Sequence, residues 1–267
     1  MVVPLSEGSY TVDITKKFIP FDPSIDSIKE RPGSLLVDIV PFLIKTTDEL
    51  IVIDPGLGLE HSVGSFTIHE NINRAGYSYG DVTLVLLSHL HKDHAGGICY
   101  PYHDSFRLMF PEAKYFCQKK EMEHAITMAN SPSIQIEKLE FIRNTTNLEY
   151  MNGNGILKPG IFYEISGGHT QFHQVFTIVV DRQSYFFGGD VLPQPKQLQM
   201  RYIAKYDYDG TASAAKRIEY GKRAAETNGI CLFFHSSQMP GAKIKMDQDD
   251  RFLLENAALS EDLIQNL

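Results

Sequence analysis

The chain has 267 residues, 43% of them hydrophobic, and a formal net charge of -8. That length and apolar fraction support a sizeable core and exclude a disordered chain. The acidic balance argues against a nucleic-acid backbone or an anionic membrane as the main partner, yet leaves room for a small anionic substrate.

Residues 8 to 19 alternate weakly and predict a first strand. Residues 20 to 33 hold Pro20, Pro23 and Pro32 and read as a loop. Leu35 to Ile44 is apolar and β-branched but interrupted by Pro41, which predicts an edge strand or two short pieces. With the turn at 46 to 49 and the apolar run Leu50 to Ile53, it reads as a hairpin. The run ends in Asp54-Pro55-Gly56-Leu57-Gly58. Residues 61 to 76 fit a helix closing at Gly76. Val82 to Leu87 is wholly apolar, the kind of strand buried on both faces.

Residues 99 to 111 read as an aromatic-rich loop or flap; the apolar side chains of 99 to 110 suggest either a pocket wall, with His103 able to reach substrate, or ordinary packing under a loop. Ala113 to Cys117 predicts a strand, Lys119 to Ala129 a helix, 133 to 143 another helix, and 144 to 160 a polar connection. Strands follow at Ile161 to Ile165, Gln174 to Val180 and Ser184 to Phe187. Residues 211 to 228 form the clearest helix, with Thr211 or Ser213 near its start and Gly229 after its end. Ile230 to Phe234 is a last strand, and 249 to 258 fits a helix in a polar tail.

The three cysteines, Cys99, Cys117 and Cys231, have no CxxC spacing and imply no disulfide framework; Cys117 and Cys231 sit in apolar runs as buried thiols. The first residues carry no basic region and apolar core, and no run is long enough to span a bilayer, so a cytoplasmic protein is expected.

The chemistry concentrates after Leu87, in Ser88-His89-Leu90-His91-Lys92-Asp93-His94-Ala95-Gly96-Gly97. Imidazole and carboxylate are the donors that borderline divalent metals prefer. Four more predicted strands end in a carboxylate or an imidazole: Asp54, His169, Asp190 and His235. The flanking glycines (Gly96, Gly97, Gly167, Gly168, Gly188, Gly189) allow close backbone approach and positive φ, so these loops can crowd round one point. Of the other histidines, His61, His69 and His124 are expected on solvated helix faces, and His173 outside the ligand set.

His89-x-His91-x-Asp93-His94, Gly168-His169, Gly189-Asp190 and His235 together resemble the ligand set of the metallo-β-lactamase superfamily in its dinuclear form, and Asp54-Pro55-Gly56 matches that family's early Asp-x-Gly turn. The resemblance runs from about residue 35 to 236. It implies an α+β fold, a four-layer αββα sandwich of two mixed β-sheets with helices on both outer faces. A single domain would span 1–267, with 240–267 as a tail packed on it or trailing from it. It further implies that His89, His91 and His169 hold one metal, that Asp93, His94 and His235 hold the other, and that Asp190 bridges them. Asp54 would stand behind, hydrogen-bonding a ligand or the loop.

Two divalent ions, zinc first and iron, manganese or cobalt next, would supply a bridging hydroxide at neutral pH. The expected reaction is hydrolysis of a small-molecule ester, lactone or phosphoester bond. Asp93 and Asp190 would also orient the water or pass a proton to the leaving group. The segment 199 to 210, with His235 and then Met239-Pro240-Gly241, is most similar to the branch holding methyl parathion hydrolase-like and acyl-homoserine lactonase-like enzymes. The lactonase pattern places a tyrosine soon after the bridging aspartate; here Val191, Leu192 and Pro193 follow, and the nearest tyrosine is Tyr202.

Competing readings are a glyoxalase II-like thioesterase, a nuclease, a mononuclear iron sulfur dioxygenase, and a metal-binding scaffold without turnover. The short stretch after His235 weighs against the first and the acidic balance against the second. The intact second ligand set weighs against the third. The expected partner is a small-molecule substrate, with neither nucleic acid nor membrane; a homodimer is allowed.

Overall fold

The computed structural model describes residues 1–200 and 202–259. Its architecture follows from side-chain parity along fully apolar strands. Successive side chains of a strand point to opposite faces, so a run buried on both sides must feed two cores. Phe42, Ile44, Ile51, Ile53, Leu84, Leu86 and Phe116 point into one cluster. Their neighbours Leu43, Val52, Val85, Tyr115 and Cys117 point into another.

These residues belong to a six-stranded mixed sheet, in the order Val2–Pro4, Phe42–Lys45, Leu50–Ile53, Leu84–Leu86, Lys114–Gln118, Leu148–Met151. Its first three strands are antiparallel to their neighbours and the last four run parallel. Helices Thr67–Arg74, Lys119–Thr127 and Ile136–Arg143 cover its outer face through Ile68, Ile72, Met122, Ala125, Leu139 and Ile142.

A seven-stranded sheet, running from Gly155–Lys158 to Phe252–Asn256, faces it. Phe176, Ile178, Phe187, Ile230, Leu232 and Phe234 meet the first sheet across the middle cluster. Val175, Phe186, Cys231 and Phe233 point the other way, onto Tyr220 and Ala224 of helix Gly210–Glu226. Helix, sheet, sheet, helix is the αββα sandwich of the metallo-β-lactamase fold. At one end the sheets are tied by hydrogen bonds, from Val40 N to Phe234 O (3.0 Å) and from Gln174 Nε2 to Leu87 O (2.7 Å). That end carries the site.

Several local expectations change. Pro41 does split the run at 35 to 44, but the halves enter different sheets. Phe42–Lys45 lies inside the six-stranded sheet, while Leu35–Ile39 joins Gly8–Val12 and Phe18–Pro20 in a separate three-stranded one. The helix expected over 61 to 76 is only Thr67–Arg74, because Glu60–Ser62 and Ser65–Phe66 form a small hairpin ahead of it. The flap at 99 to 111 is a hairpin, Cys99–Tyr102 with Ser105–Leu108, whose apolar side chains pack into the outer helical layer.

The connection at 144 to 160 holds two strands, Leu148–Met151 and Gly155–Lys158. The long helix starts at Gly210, and its cap is Asp209, whose carboxylate accepts from Thr211 N and Ala212 N. The helix expected at 249 to 258 is instead strand Phe252–Asn256, paired with Gly241–Met246, so this part of the tail completes the second sheet. Residues 260–267 of that tail lie outside the described residues. All three cysteines are free and buried, and among the described residues no helix is long and apolar enough to cross a membrane.

Candidate metal centre

Asp54 and the expected ligands gather where strands end at the tied edge of the sandwich, with His91, Asp93 and His94 in the turn that follows His89. Asp54 follows Leu50–Ile53, His89 follows Leu84–Leu86, and His169 comes after Ile161–Ile165. Asp190 follows Gln183–Phe187 and His235 follows Ile230–Leu232. The loops crowd because glycine lets them. The turn after Asp54 runs against the turn after His94, with Gly97 N donating to Gly56 O at 2.9 Å. A Cβ on Gly97 would sit 2.2 Å from Pro55 O. Gly189 has φ +47°, and its missing Cβ leaves room for the His173 ring.

The structure brings all seven expected ligands together in two sets. In the first, His91 Nδ1 lies 3.1 Å from His89 Nε2 and 3.0 Å from His169 Nε2. In the second, Asp93 Oδ2 lies 3.7 Å from both His94 Nε2 and His235 Nε2. Asp190 stands between. Its Oδ1 is 3.0 Å from His94 Nε2 and from His235 Nε2, and its Oδ2 is 3.2 Å from His169 Nε2. One carboxylate therefore offers one oxygen to each set.

Four of the five imidazoles have a partner on the nitrogen facing away from the cluster. His94 Nδ1 meets Asp54 Oδ2 at 2.8 Å, and His169 Nδ1 meets Asp207 Oδ1 at 2.8 Å. His235 Nδ1 donates to Asp38 O at 2.7 Å, and His89 Nδ1 lies 3.0 Å from Ser88 Oγ, which donates to Asp54 Oδ2. These acceptors fix the tautomer and leave the lone pair of the inner nitrogen free, the usual arrangement behind metal-bound histidine. Asp54, His89 and His94 also come close enough to form a third donor group, but the Asp54 oxygens are engaged by Ser88 N, Ser88 Oγ and His94. The Asp54 carboxylate thus stands behind His94 and Ser88.

Electrostatics divide the two sets. Burial and the neighbouring imidazoles hold His89 and His91 well below the usual imidazole range, so their lone pairs are available. Burial opposes charge on His94 too, but Asp190, Asp93 and Asp54 outweigh it and raise it well above that range. His235 is raised in the same sense, against its burial, chiefly by Asp190. Burial pushes Asp190 up, yet His94, His235 and His169 hold it well below the carboxylate range. The second set thus draws positive charge. His94 Nε2 and Asp190 Oδ1 are moreover buried with no hydrogen-bond partner of acceptable geometry, although they lie 3.0 Å apart. Nitrogen lone pairs beside unsatisfied carboxylate oxygen form a donor set that fits divalent cations.

A cavity of about 350 Å³ opens over the cluster, lined there by His91, Asp93, His169, Asp190 and His235. Its walls differ from the expected ones. The three-stranded sheet places Val12 opposite both Phe18 and Leu35, with Val37 two residues on, and all four line the cavity with Met128. The 99–110 hairpin takes no part, and His103 sits exposed at its turn with φ +51°.

Tyr206 lines the cavity as well, its ring centroid 6.0 Å from that of His169. Burial and then Asp190 push its phenol well up, so at neutral pH it keeps its proton as a donor. His173 is outside the ligand set but not idle: its Nε2 accepts from Asp190 N at 3.1 Å and its Nδ1 meets Ser166 Oγ at 2.6 Å. His69 is not on a solvated face; it stacks on Tyr79 at 4.1 Å and bonds Met109 O. Of the residues missed, Asp207 and Tyr206 stood in the segment 199 to 210, where no spacing distinguishes them. Asp38 acts through its backbone carbonyl, which no sequence motif marks.

Residues 37–99 match the sequence model described as the Metallo-beta-lactamase superfamily. No curated protein matches the chain. Among solved structures, the chain superposes on AidC, a dizinc quorum-quenching lactonase in complex with a product homoserine, with a TM-score of 0.73 at 20% identity over 97% of this chain and 94% of that one. A probable metal-dependent hydrolase from Staphylococcus aureus gives 0.74 at 19% identity, over 97% and 98%. The hydrolase AbOPH of the beta lactamase superfamily gives 0.75 at 17% identity, over 97% and 94%.

Proposed function

We propose that this chain, which has the metallo-β-lactamase fold and resembles that superfamily in its ligand pattern, is a dinuclear metal-dependent hydrolase of small-molecule carboxylic esters or lactones. The observation that carries the reading is Asp190. Its two oxygens face two separate donor sets, and four of the five imidazoles beside it are braced from behind by acceptors. His89, His91 and His169 would hold one ion, Asp93, His94 and His235 the other, and Asp190 both. Such ions, zinc first, polarise a carbonyl oxygen and make hydroxide available near neutral pH.

The chain's own residues do the rest. The apolar wall of Val12, Phe18, Leu35 and Val37 holds the acyl part and excludes bulk water. Tyr206, a protonated donor beside Asp190, orients the carbonyl or the leaving oxygen. Asp93, less deeply buried than the histidine rings it faces, holds the incoming water and carries its proton toward the leaving group. The relatives of the same fold that are lactonases and hydrolases support this choice of bond.

The test is metal content with turnover. Protein reconstituted with zinc, manganese, cobalt or iron is assayed on lactones, aryl esters, phosphotriesters and thioesters. Two ions per chain with ester or lactone hydrolysis is the expected result. One iron per chain with oxygen consumption would favour the dioxygenase instead.

A further inference from the structure

The cavity rim carries two cations that the hydrolase reading does not use. Lys16 and Lys92 both line it, from opposite sources: the loop joining Gly8–Val12 to Phe18–Pro20, and the turn between His91 and Asp93. Both are half-buried. Among the described residues neither ammonium is paired with a carboxylate, in a chain whose acidic residues outnumber its basic ones. Each instead stands over an aromatic face of the same cavity, Lys16 Nζ 5.5 Å from the Tyr206 centroid and Lys92 Nζ 5.8 Å from the Phe18 centroid. Two like charges lining one opening favour an anion there.

We propose that Lys16 and Lys92 form an anion-binding rim, and that the acyl part of the substrate carries a carboxylate besides the bond that is broken. The ligand cluster would take the scissile carbonyl, and the two ammoniums, one over Tyr206 and one over Phe18, take the carboxylate. Hydrolysis joins the water oxygen to the acyl carbon and breaks the acyl–oxygen bond, the alcohol leaving with the proton, so the acyl product is a dicarboxylate. This inference rests on the hydrolase reading and narrows its substrate class.

Two chromogenic esters of similar length separate the ideas: mono-(4-nitrophenyl) glutarate, with a terminal carboxylate, and neutral 4-nitrophenyl hexanoate. For the wild-type metal-loaded protein, kcat/KM for the glutarate exceeds that for the hexanoate, roughly three- to tenfold at low salt, and the ratio falls toward one as salt rises. Lys16→Met lowers the ratio through KM for the glutarate, Lys92→Met does the same with metal content checked, and Lys16→Arg retains it. A wild-type ratio at or below one, or a ratio unchanged in both Met variants, overturns the rim while leaving the hydrolase reading intact. If neither ester turns over, the rim is tested by calorimetric titration of glutarate, while the hydrolase reading stands or falls on the wider substrate panel. Binding weakened in Lys16→Met supports it; equal binding in the two proteins overturns it.

Discussion

The floor and the roof of the cavity are built differently. The floor is a braced polar cluster: Asp54, His89 and His94 are 0% exposed, His169 4% and His235 8%. The roof is a three-stranded sheet and the loop bearing Tyr206, and there Leu35 is 45% exposed and Tyr206 43%. In the floor Asp54 is held by Ser88 and His94, and four imidazoles are each held on the outer nitrogen, so a change there has nowhere to relax. The more open side chains of the roof have room to shift. On the proposed hydrolase reading, chemistry belongs to the floor and selectivity to the roof, and substitutions in each should separate kcat and metal content from KM.

The largest effect is expected at the floor. His169→Ala removes a donor from the first set and the partner of Asp190 Oδ2. Metal content should fall from two ions per chain toward one, with a loss of activity of about a thousandfold or more, read by elemental analysis and ester turnover. Full metal content with near wild-type turnover would remove His169 from the centre. Asp54→Ala tests the brace without touching a ligand. It strands His94 Nδ1–H and Ser88 N–H in a fully buried place. Metal affinity should drop about 10- to 100-fold, and the metal-free protein should lose roughly 3–5 kcal/mol in urea unfolding. Asp54→Asn, which keeps one acceptor, should lose less of both.

How much of this was legible in sequence follows the same division. Strand-end ligands could be read because each is a short local event: an apolar run stops and His89, His169, Asp190 or His235 appears. That a central strand is covered on both faces was readable in the wholly apolar run Val82 to Leu87; the four-layer sandwich itself came only from the family resemblance. The roof was not, because it depends on pairing between distant segments. Val12 opposite Leu35 is a register fact that neither stretch records alone. The aromatic 99–110 segment left two readings open for the complementary reason: apolar content says that a surface is covered, not by what. In the structure helix Ile136–Arg143 covers it through contacts such as Phe106 with Phe141. Tyr206 reaches the cavity although sixteen residues of sequence separate it from Asp190, because the loop folds back, with Tyr208 N and Asp209 N donating to His169 O and Gly168 O.

Glu7 joins the two regions. It belongs to the N-terminal segment that leads into the roof, and its buried carboxylate accepts from Leu57 N at 2.7 Å, holding the turn after Asp54. Burial raises its pKa from 4.5 to about 7, despite backbone donors at Leu57, Leu59 and Gly58. A raised carboxyl contributes stability that is fully present below pH 4.5 and lost as pH rises through about 7. Between pH 5 and 8 the wild type should therefore lose up to about 3 kcal/mol relative to Glu7→Gln, which cannot ionise. Urea unfolding of both proteins at the two pH values checks this; parallel stabilities would mean that the carboxyl has the same charge throughout.

The smallest effect belongs to the roof and is the sharpest test of the division. Leu35 lies in the apolar row with Val12 and Phe18, and nearly half of its surface is open. Leu35→Ala removes three carbons from a wall that the acyl chain would cover. With about 25 cal/mol per Å² and only part of the side chain engaged, the lost contact is about 1 kcal/mol, or roughly fivefold in binding. The expected outcome is a KM for 4-nitrophenyl hexanoate raised a few-fold, an unchanged KM for the acetate, and kcat and metal content within twofold of wild type for both. The acetate matters because its acyl group is too short to reach the row. If KM rises equally for both esters, Leu35 acts through the floor instead, and the separation of chemistry from selectivity breaks at that residue.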